Sequence, residues 1–326
     1  MEPPALREGN GSSALSARLE QYRDKLLVLQ LLISFVGVVG NIILVISIFS
    51  ANRLKTFEIF LLGLATSNLV EILVVDVYDI IIVHSGSSAL VLHFCSTLRF
   101  LKLSGETATM QFTVLICVFR YQKLQDARTR VKLPVALDSI VVARTLSGAS
   151  VLLALILGIP TYFMNLDQNV ENTTRNENCA LDIFQCPKRS CPTLHVIYKS
   201  IFLVLLTLLP FLIVTVTSGL IIRILLVQQR TSAVQPARLP PQQQQIQSPS
   251  LFRTFHRSTI AVLAAMALCQ VAWALYLMLH LVLDPYTFQF WPEAEFYITT
   301  TYATVSPYVY GIGNNLFSLK CCVKVN

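Results

Sequence analysis

Apolar residues along the chain gather into long blocks separated by short polar ones. Seven such blocks cover residues 26–49, 57–84, 95–121, 145–163, 201–227, 258–283 and 296–312. Each is near or above the ~17–25 residues that an α-helix needs to cross a bilayer. The last is short and rich in Thr and Tyr, and Phe290 and Trp291 can extend it. The ten-residue alternating segments of a membrane β-barrel do not recur. The pattern therefore predicts an all-α membrane protein, a seven-transmembrane helix bundle over residues 26–313 with a polar segment over 1–25 and a tail over 314–326.

Between the fifth and sixth blocks, residues 228–257 hold Pro236, Pro240, Pro241 and a run of glutamines over 242–245. With no apolar period this loop is expected to be flexible. Residues 314–320 read as a short amphipathic helix lying along the interface. No internal repeat appears, which argues against a transporter built on inverted repeats.

Composition agrees with a lipid solvent. Of 326 residues, 54% are hydrophobic and only 13% charged, against about 25% charged in soluble domains. The formal charge of +7 is a topology signal. If the N-terminus is outside, Arg53, Lys55, Arg120, Lys123, Arg128, Arg130, Lys132, Arg144, Arg223, Arg230, Arg238, Arg253, Arg257, Lys320 and Lys324 all fall on or beside the inner side. Only Glu58, Asp126 and Asp138 oppose them there. The positive-inside rule then sets the N-terminus outside. Cations split among membrane spans form no nucleic-acid surface. The sequons at Asn10 and Asn172 fall in segments that this topology places outside, where glycans are added. The first block has only polar sequence of mixed charge before it, so no signal peptide is expected.

The charges inside the blocks are the candidate ligand chemistry. Arg99, Lys102 and Glu106 share one face of the third helix, Glu71 and Asp79 share one face of the second, and Asp76 points elsewhere. Charges at membrane depth cost a few kcal/mol on insertion scales, so they are expected to face the bundle interior. Two readings follow. Lys102 forms a structural ion pair with Glu71 or Asp79, or Arg99 and Lys102 capture an anionic ligand group in an outer pocket that Tyr78, Tyr276, His280 and Tyr302 complete. There is no phosphate-cradling glycine loop, no metal-spaced His/Cys set and no nucleophile triad, so neither an enzyme nor a cofactor or metal site is expected.

Several motifs carry a family likeness. Cys95 precedes Arg120 by 25 positions, roughly 37 Å of helix at ~1.5 Å per residue. Gly40-Asn41, Leu64-Ala65-Thr66-Ser67-Asn68, Phe119-Arg120-Tyr121, Pro210, Cys269-Gln270-Val271-Ala272 and Ser306-Pro307-Tyr308-Val309-Tyr310 stand at the family positions of helices one, two, three, five, six and seven. The chain resembles the rhodopsin-like (class A) G-protein-coupled receptors over nearly its whole length. The likeness implies ligand binding in an outer pocket, a heterotrimeric G protein as partner, contact to it through Arg120 and Tyr121, and residence in the plasma membrane.

The departures matter as much. Asn68 replaces the aspartate that holds sodium in many such receptors, which implies no sodium site. Ser218 stands where a fifth-helix tyrosine is usual. The sixth helix lacks the usual tryptophan and proline, and Arg120 lacks its acidic neighbour, which leaves it without a usual resting-state partner. A Ser-Pro-aromatic seventh helix and an Arg-Tyr without its acid resemble the vomeronasal type 1 receptors and the fish olfactory receptors class A-related. That resemblance implies an odorant or pheromone as the small-molecule ligand. Bitter taste receptors are the near alternative, separated by Cys95, and a transporter or channel is the alternative of another class.

The likeness also implies a disulfide from Cys95 to the second outer loop. Cys179, followed by Ala180-Leu181-Asp182, resembles the family's loop cysteine, with Cys186 and Cys191 then paired to each other; Cys95–Cys191 is the competing arrangement. Cysteines on the outer side persist as disulfides. Cys117 and Cys269, within the membrane, read as packing residues. Cys321 and Cys322, just past the amphipathic stretch, are candidate palmitoylation sites.

Overall fold

The computed structural model describes residues 9–50, 54–85, 88–129, 138–164, 193–234, 249–283, 288, 290–314 and 316, with backbone alone at 9–24, 78–85, 88–95, 128–129, 163–164, 228–234, 249–256 and 292. All regular structure among these residues is helical: α1 Gly9–Phe49, α2 Thr56–Ser85, α3 Ser88–Thr129, α4 Ile140–Gly158, α5 Pro160–Met164, α6 Thr193–Ile201, a π-helical segment Phe202–Leu208, α7 Leu209–Val234, α8 Pro249–Val282 and α9 Trp291–Gly313. Helix α5 continues α4, and α6, the π segment and α7 run on as one rod, so the elements make seven rods. Every block read from the sequence lies inside one of them, save that the sixth runs one residue past the end of α8. Helix α1 starts at Gly9, so helix continues through most of the stretch read as a polar N-terminal segment. Residues 235–248 of the 228–257 loop, the proposed tail helix apart from Asn314 and Leu316, Asn172, Cys179, Cys186, Cys191, Cys321 and Cys322 lie outside the described residues, while the two ends of that loop, 228–234 and 249–257, are helical continuations of α7 and α8. Asn10, Tyr78, Asp79 and Cys95 are placed by backbone only.

Why helices, and why this bundle? Five of the rods are long and apolar enough to cross a membrane, and in hydrocarbon only a helix satisfies every backbone N–H and C=O within its own segment. The two that fall short are α3 and α9, which carry Lys102, Glu106, Arg120 and Glu295. Helix α3 is the centre of the bundle, packed against α2, α4, α7 and α8. Every residue over 102–110 is buried, so no face of it meets lipid at that depth. A helix packed all round needs no continuous apolar surface. Helix α4 shows the opposite condition. Its buried residues are the small Ala143, Ala154 and Gly158, while Val141 and Leu152 are 71% and 59% exposed. Small residues let helices approach closely in membranes, and lipid covers the rest.

Two sequence features shape the rods locally. Pro210 has no N–H to give to Leu206, and the turn before it widens to π geometry, with Leu209 N–H bonding Val204 O. Gly40 leaves room for the Tyr308 ring of α9, since a Cβ there would lie 2.6 Å from it. Tyr308 then donates to Val36 O at 2.7 Å and ties α9 to α1.

At the end that the charge pattern marks as inner, the Lys55 N–H donates to Glu58 Oε2 at 2.9 Å, one half of a capping box at the start of α2. Thr56 donates to Asp138 O and Lys123 reaches Asp138 Oδ2 at 2.6 Å, joining the starts of α2 and α4 to α3.

Candidate functional site

Three polar assemblies line the bundle axis. The outermost is built on Lys102, which is 7% exposed. Its ammonium sits 2.7 Å from Glu295 Oε1 on α9 and 3.8 Å from Glu106 Oε1 one turn along α3. One of the two sequence readings pairs Lys102 with Glu71 or Asp79 of α2; the short bridge runs to Glu295 of α9. Glu295 escaped notice because it lies one residue before the seventh apolar block, where a charge reads as loop. The continuous helix from Trp291 brings it into the bundle.

Glu71 is 3% exposed, and α2 lies close to α3 at this level because α3 carries Gly105 there. A Cβ on Gly105 would come within 3.3 Å of the Glu71 backbone nitrogen. Above the pair, an aromatic ladder runs along α8 to the start of α9: Trp273 to Tyr276 at 5.1 Å, Tyr276 to His280 at 4.2 Å and His280 to Trp291 at 5.0 Å between ring centroids. Lys102, Glu106, Glu71, Tyr276 and His280 are thus all buried residues of the bundle interior. Arg99, one turn outward, is half-buried.

Beneath them lies a small cavity lined by Glu71, Thr109, Ala272, Trp273, Tyr276, Ile298, Thr299 and Tyr302. Its free space is about 10 Å³, room for about one water molecule. Trp273 stands three residues past Gln270, the position where the family carries its tryptophan, so no motif marks it. The helical spacing of Cys269, Trp273, Tyr276 and His280 was the signal available.

The middle assembly is neutral. Asn68 donates to Asn41 Oδ1 at 3.2 Å, Ala303 O at 3.3 Å and Ser306 Oγ at 3.2 Å, and accepts from Thr109 at 3.1 Å. Asn41 also donates to Gly37 O and Ala303 O. Every polar atom of Asn68 is used, so α1, α2, α3 and α9 are joined by an amide where an aspartate would bring an uncompensated charge. One turn along α3 from Thr109, Thr113 meets Tyr302 at 2.8 Å. Cys117 and Cys269 are free thiols buried in the apolar core.

The innermost assembly holds Arg120. Its Nη2 donates to Ser258 Oγ on α8 at 2.6 Å and to Asn314 Oδ1, the residue that ends α9, at 2.8 Å. Ser258 itself donates to Asn314 Oδ1 at 2.6 Å, and the guanidinium lies 3.8 Å above the Phe57 ring of α2. The sequence suggested an arginine stripped of its resting partner. The structure gives it replacements from three other helices: a hydroxyl, an amide oxygen and an aromatic face. Tyr121 packs against the core beside it. Neither Ser258 nor Asn314 carried a motif that would single it out.

The positions of Asn41, Asn68 and Arg120 in these assemblies, with Pro307 inside α9, match one receptor family. The model of the 7 transmembrane receptor (rhodopsin family) matches residues 40–323. The chain belongs to the rhodopsin family of seven-transmembrane receptors. No curated protein matches the chain. Membership makes it a multi-pass membrane receptor, and what each charged residue of the outer half does there is a separate matter.

Proposed function

We propose that this rhodopsin-family receptor is chemosensory: it binds a small polar or amphipathic odorant or pheromone in the outer half of the bundle at the plasma membrane and activates a heterotrimeric G protein through Arg120 and Tyr121. The observation that carries the reading is the layout along α3. The charged and aromatic assembly at one end and the Arg120 clamp at the other are 18 positions apart on a single helix, roughly 27 Å. The clamp holds α3, α8 and α9 together at the inner end and covers the arginine. A ligand that favours the arrangement with this clamp open shifts the bundle toward a form whose inner face admits a G-protein element.

The chemosensory part rests on the likeness of Phe119-Arg120-Tyr121 and Ser306-Pro307-Tyr308 to the vomeronasal type 1 and fish class A-related olfactory receptors; a bitter-taste-like role is the second reading. In this reading Arg99, Lys102, Glu106, Glu71, Asp79, Tyr276 and His280 surround the ligand. Cys95–Cys179 anchors the second outer loop over it, Asn10 and Asn172 carry glycans, and Cys321 and Cys322 carry acyl chains. The test is to screen odorants on cells expressing the full chain and to measure nucleotide exchange in an added G protein. Odorant-dependent exchange is expected. Odorant-driven uptake or conductance that needs no G protein would overturn the reading in favour of a transporter or channel.

A further inference from the structure

We propose that Lys102 is a two-position switch: its ammonium passes between Glu295 of α9 and Glu106 of α3, and the position it takes sets whether the Arg120 clamp at the far end of α9 is closed. The inference rests on the receptor reading above and names the device that couples its outer half to its inner face. It starts from the way α9 is attached. Helix α9 packs chiefly against α1, α2 and α8, while polar side chains link it to α3 at three depths. Lys102 meets Glu295 at 2.7 Å, Thr113 meets Tyr302 at 2.8 Å and Arg120 meets Asn314 at 2.8 Å. Glu295 and Asn314 are 19 positions apart, within and at the end of one continuous helix, roughly 28 Å. A shift of α9 where Lys102 holds it therefore bears on the contact that Asn314 makes with Arg120.

The outermost link has an alternative partner at hand. Glu106 Oε1 stands 3.8 Å from the same ammonium, one turn along α3. Such pairs touch at ~2.7–2.9 Å, so about 1 Å of travel exchanges one partner for the other. Lys102, Glu106 and Glu295 are 7%, 3% and 5% exposed. An ammonium so buried cannot turn to water, and it must keep a carboxylate. Both sides pull. Glu71, whose backbone lies against Gly105, places a second acid on the Glu106 side, where it feels both Glu106 and Lys102. One carboxylate in contact thus opposes two on the other side. With Glu295 as partner, the bridge ties α9 to α3. With Glu106 as partner, the pair closes within α3 and the outer end of α9 is released. Two discrete arrangements a small displacement apart are what a switch between packed helices requires.

The test uses the purified full chain in nanodiscs and two substitutions that each remove one charge and keep side-chain size, Glu295→Gln and Glu106→Gln. The first readout needs no partner: amide hydrogen exchange over the last turn of α9, residues 310–314, followed by mass spectrometry. Glu295→Gln leaves Lys102 to Glu106 and should speed this exchange at least fivefold. Glu106→Gln leaves Lys102 to Glu295 and should slow it at least twofold. A purely structural cluster is loosened by either loss and does not give opposite signs. Glu295→Asp, which keeps the charge and withdraws it by one methylene, should speed the exchange at least twofold and serves if Glu295→Gln does not fold. Shifts in the same direction, shifts of reversed sign, or a parent rate in either glutamine variant would each overturn the proposal. The signalling role is read separately, as basal nucleotide exchange in an added G protein, which should rise in Glu295→Gln and fall in Glu106→Gln. Opposite shifts at the end of α9, with no nucleotide exchange in the parent or any variant and none with any odorant, would leave the switch standing and remove the receptor reading.

Discussion

At the scale of single residues, Arg120 shows how a missing partner is replaced. Phe119 occupies the position of the acidic neighbour, so the guanidinium finds Ser258 and Asn314 instead, at 2.6 and 2.8 Å, with the Phe57 ring beneath it. A hydrogen bond to a charged group contributes about 1.5–3 kcal/mol. Removing Ser258 takes away one such bond and also the 2.6 Å bond from Ser258 to Asn314. If the clamp holds the resting arrangement, Ser258→Ala should raise agonist-independent nucleotide exchange by roughly 13- to 160-fold, the range that such an energy sets for a two-state equilibrium. The readout is basal exchange normalised to surface expression. Basal exchange equal to that of the parent, at equal expression, would show that the clamp does not weight the two states. Asn314→Ala is a less clean probe, because Asn314 Nδ2 also donates to Tyr310 O and so caps α9.

At the scale of helices, the bridge from Lys102 to Glu295 joins α3 to α9, and both partners are nearly inaccessible. Burying a pair is repaid only when both members are present, and removing one leaves an uncompensated charge that costs about 3–5 kcal/mol. Lys102→Met and Glu295→Leu should therefore each lower the melting temperature and surface expression sharply. The double variant should recover most of the loss, as two apolar groups pack where two ions met. Additive losses in the double variant would show that the two side chains act independently.

This bridge also marks the limit of what the sequence made legible. Hydropathy placed all seven rods, and for α2 the block 57–84 falls one residue short of Thr56–Ser85 at each end, because apolar length is a local property. Lys102, Glu106 and Glu71 were visible as charges at membrane depth. Their pairing was not, since which helix faces which depends on the packing of all seven. Glu295 was passed over for a physical reason. A charge at the edge of an apolar block reads as the end of the span, whereas a helix packed by neighbours can hold a carboxylate inside the bundle once an ammonium meets it. The same reasoning applies to Ser258 and Asn314, which are ordinary polar residues until three helix ends converge on Arg120.

At the scale of the whole molecule, the distribution of charge sets which end faces the cell interior, and this can be tested directly. The Arg120 end gathers Lys55 and Lys123, with cations following in the connecting stretches, whereas the other half holds Glu71, Glu106 and Glu295 around Lys102 in the bundle interior. Between them the surface is apolar, with Val141, Leu152 and Val271 at 71%, 59% and 60% exposed, as a lipid-facing belt requires. Lysines and arginines near span ends hold those ends on the cytoplasmic side during insertion. An epitope tag placed in residues 235–248, between α7 and α8, should therefore be reached by antibody only after the cells are permeabilised. Removal of glycans should shift the electrophoretic mobility of the parent chain, and Asn10→Gln with Asn172→Gln should abolish that shift. The two measurements are independent, because one reads the inner side and the other reads the outer. If the tag is labelled on intact cells while the glycan shift is absent, the bundle is inverted. Arg120 would then face the outside, and no G-protein contact could be assigned to it.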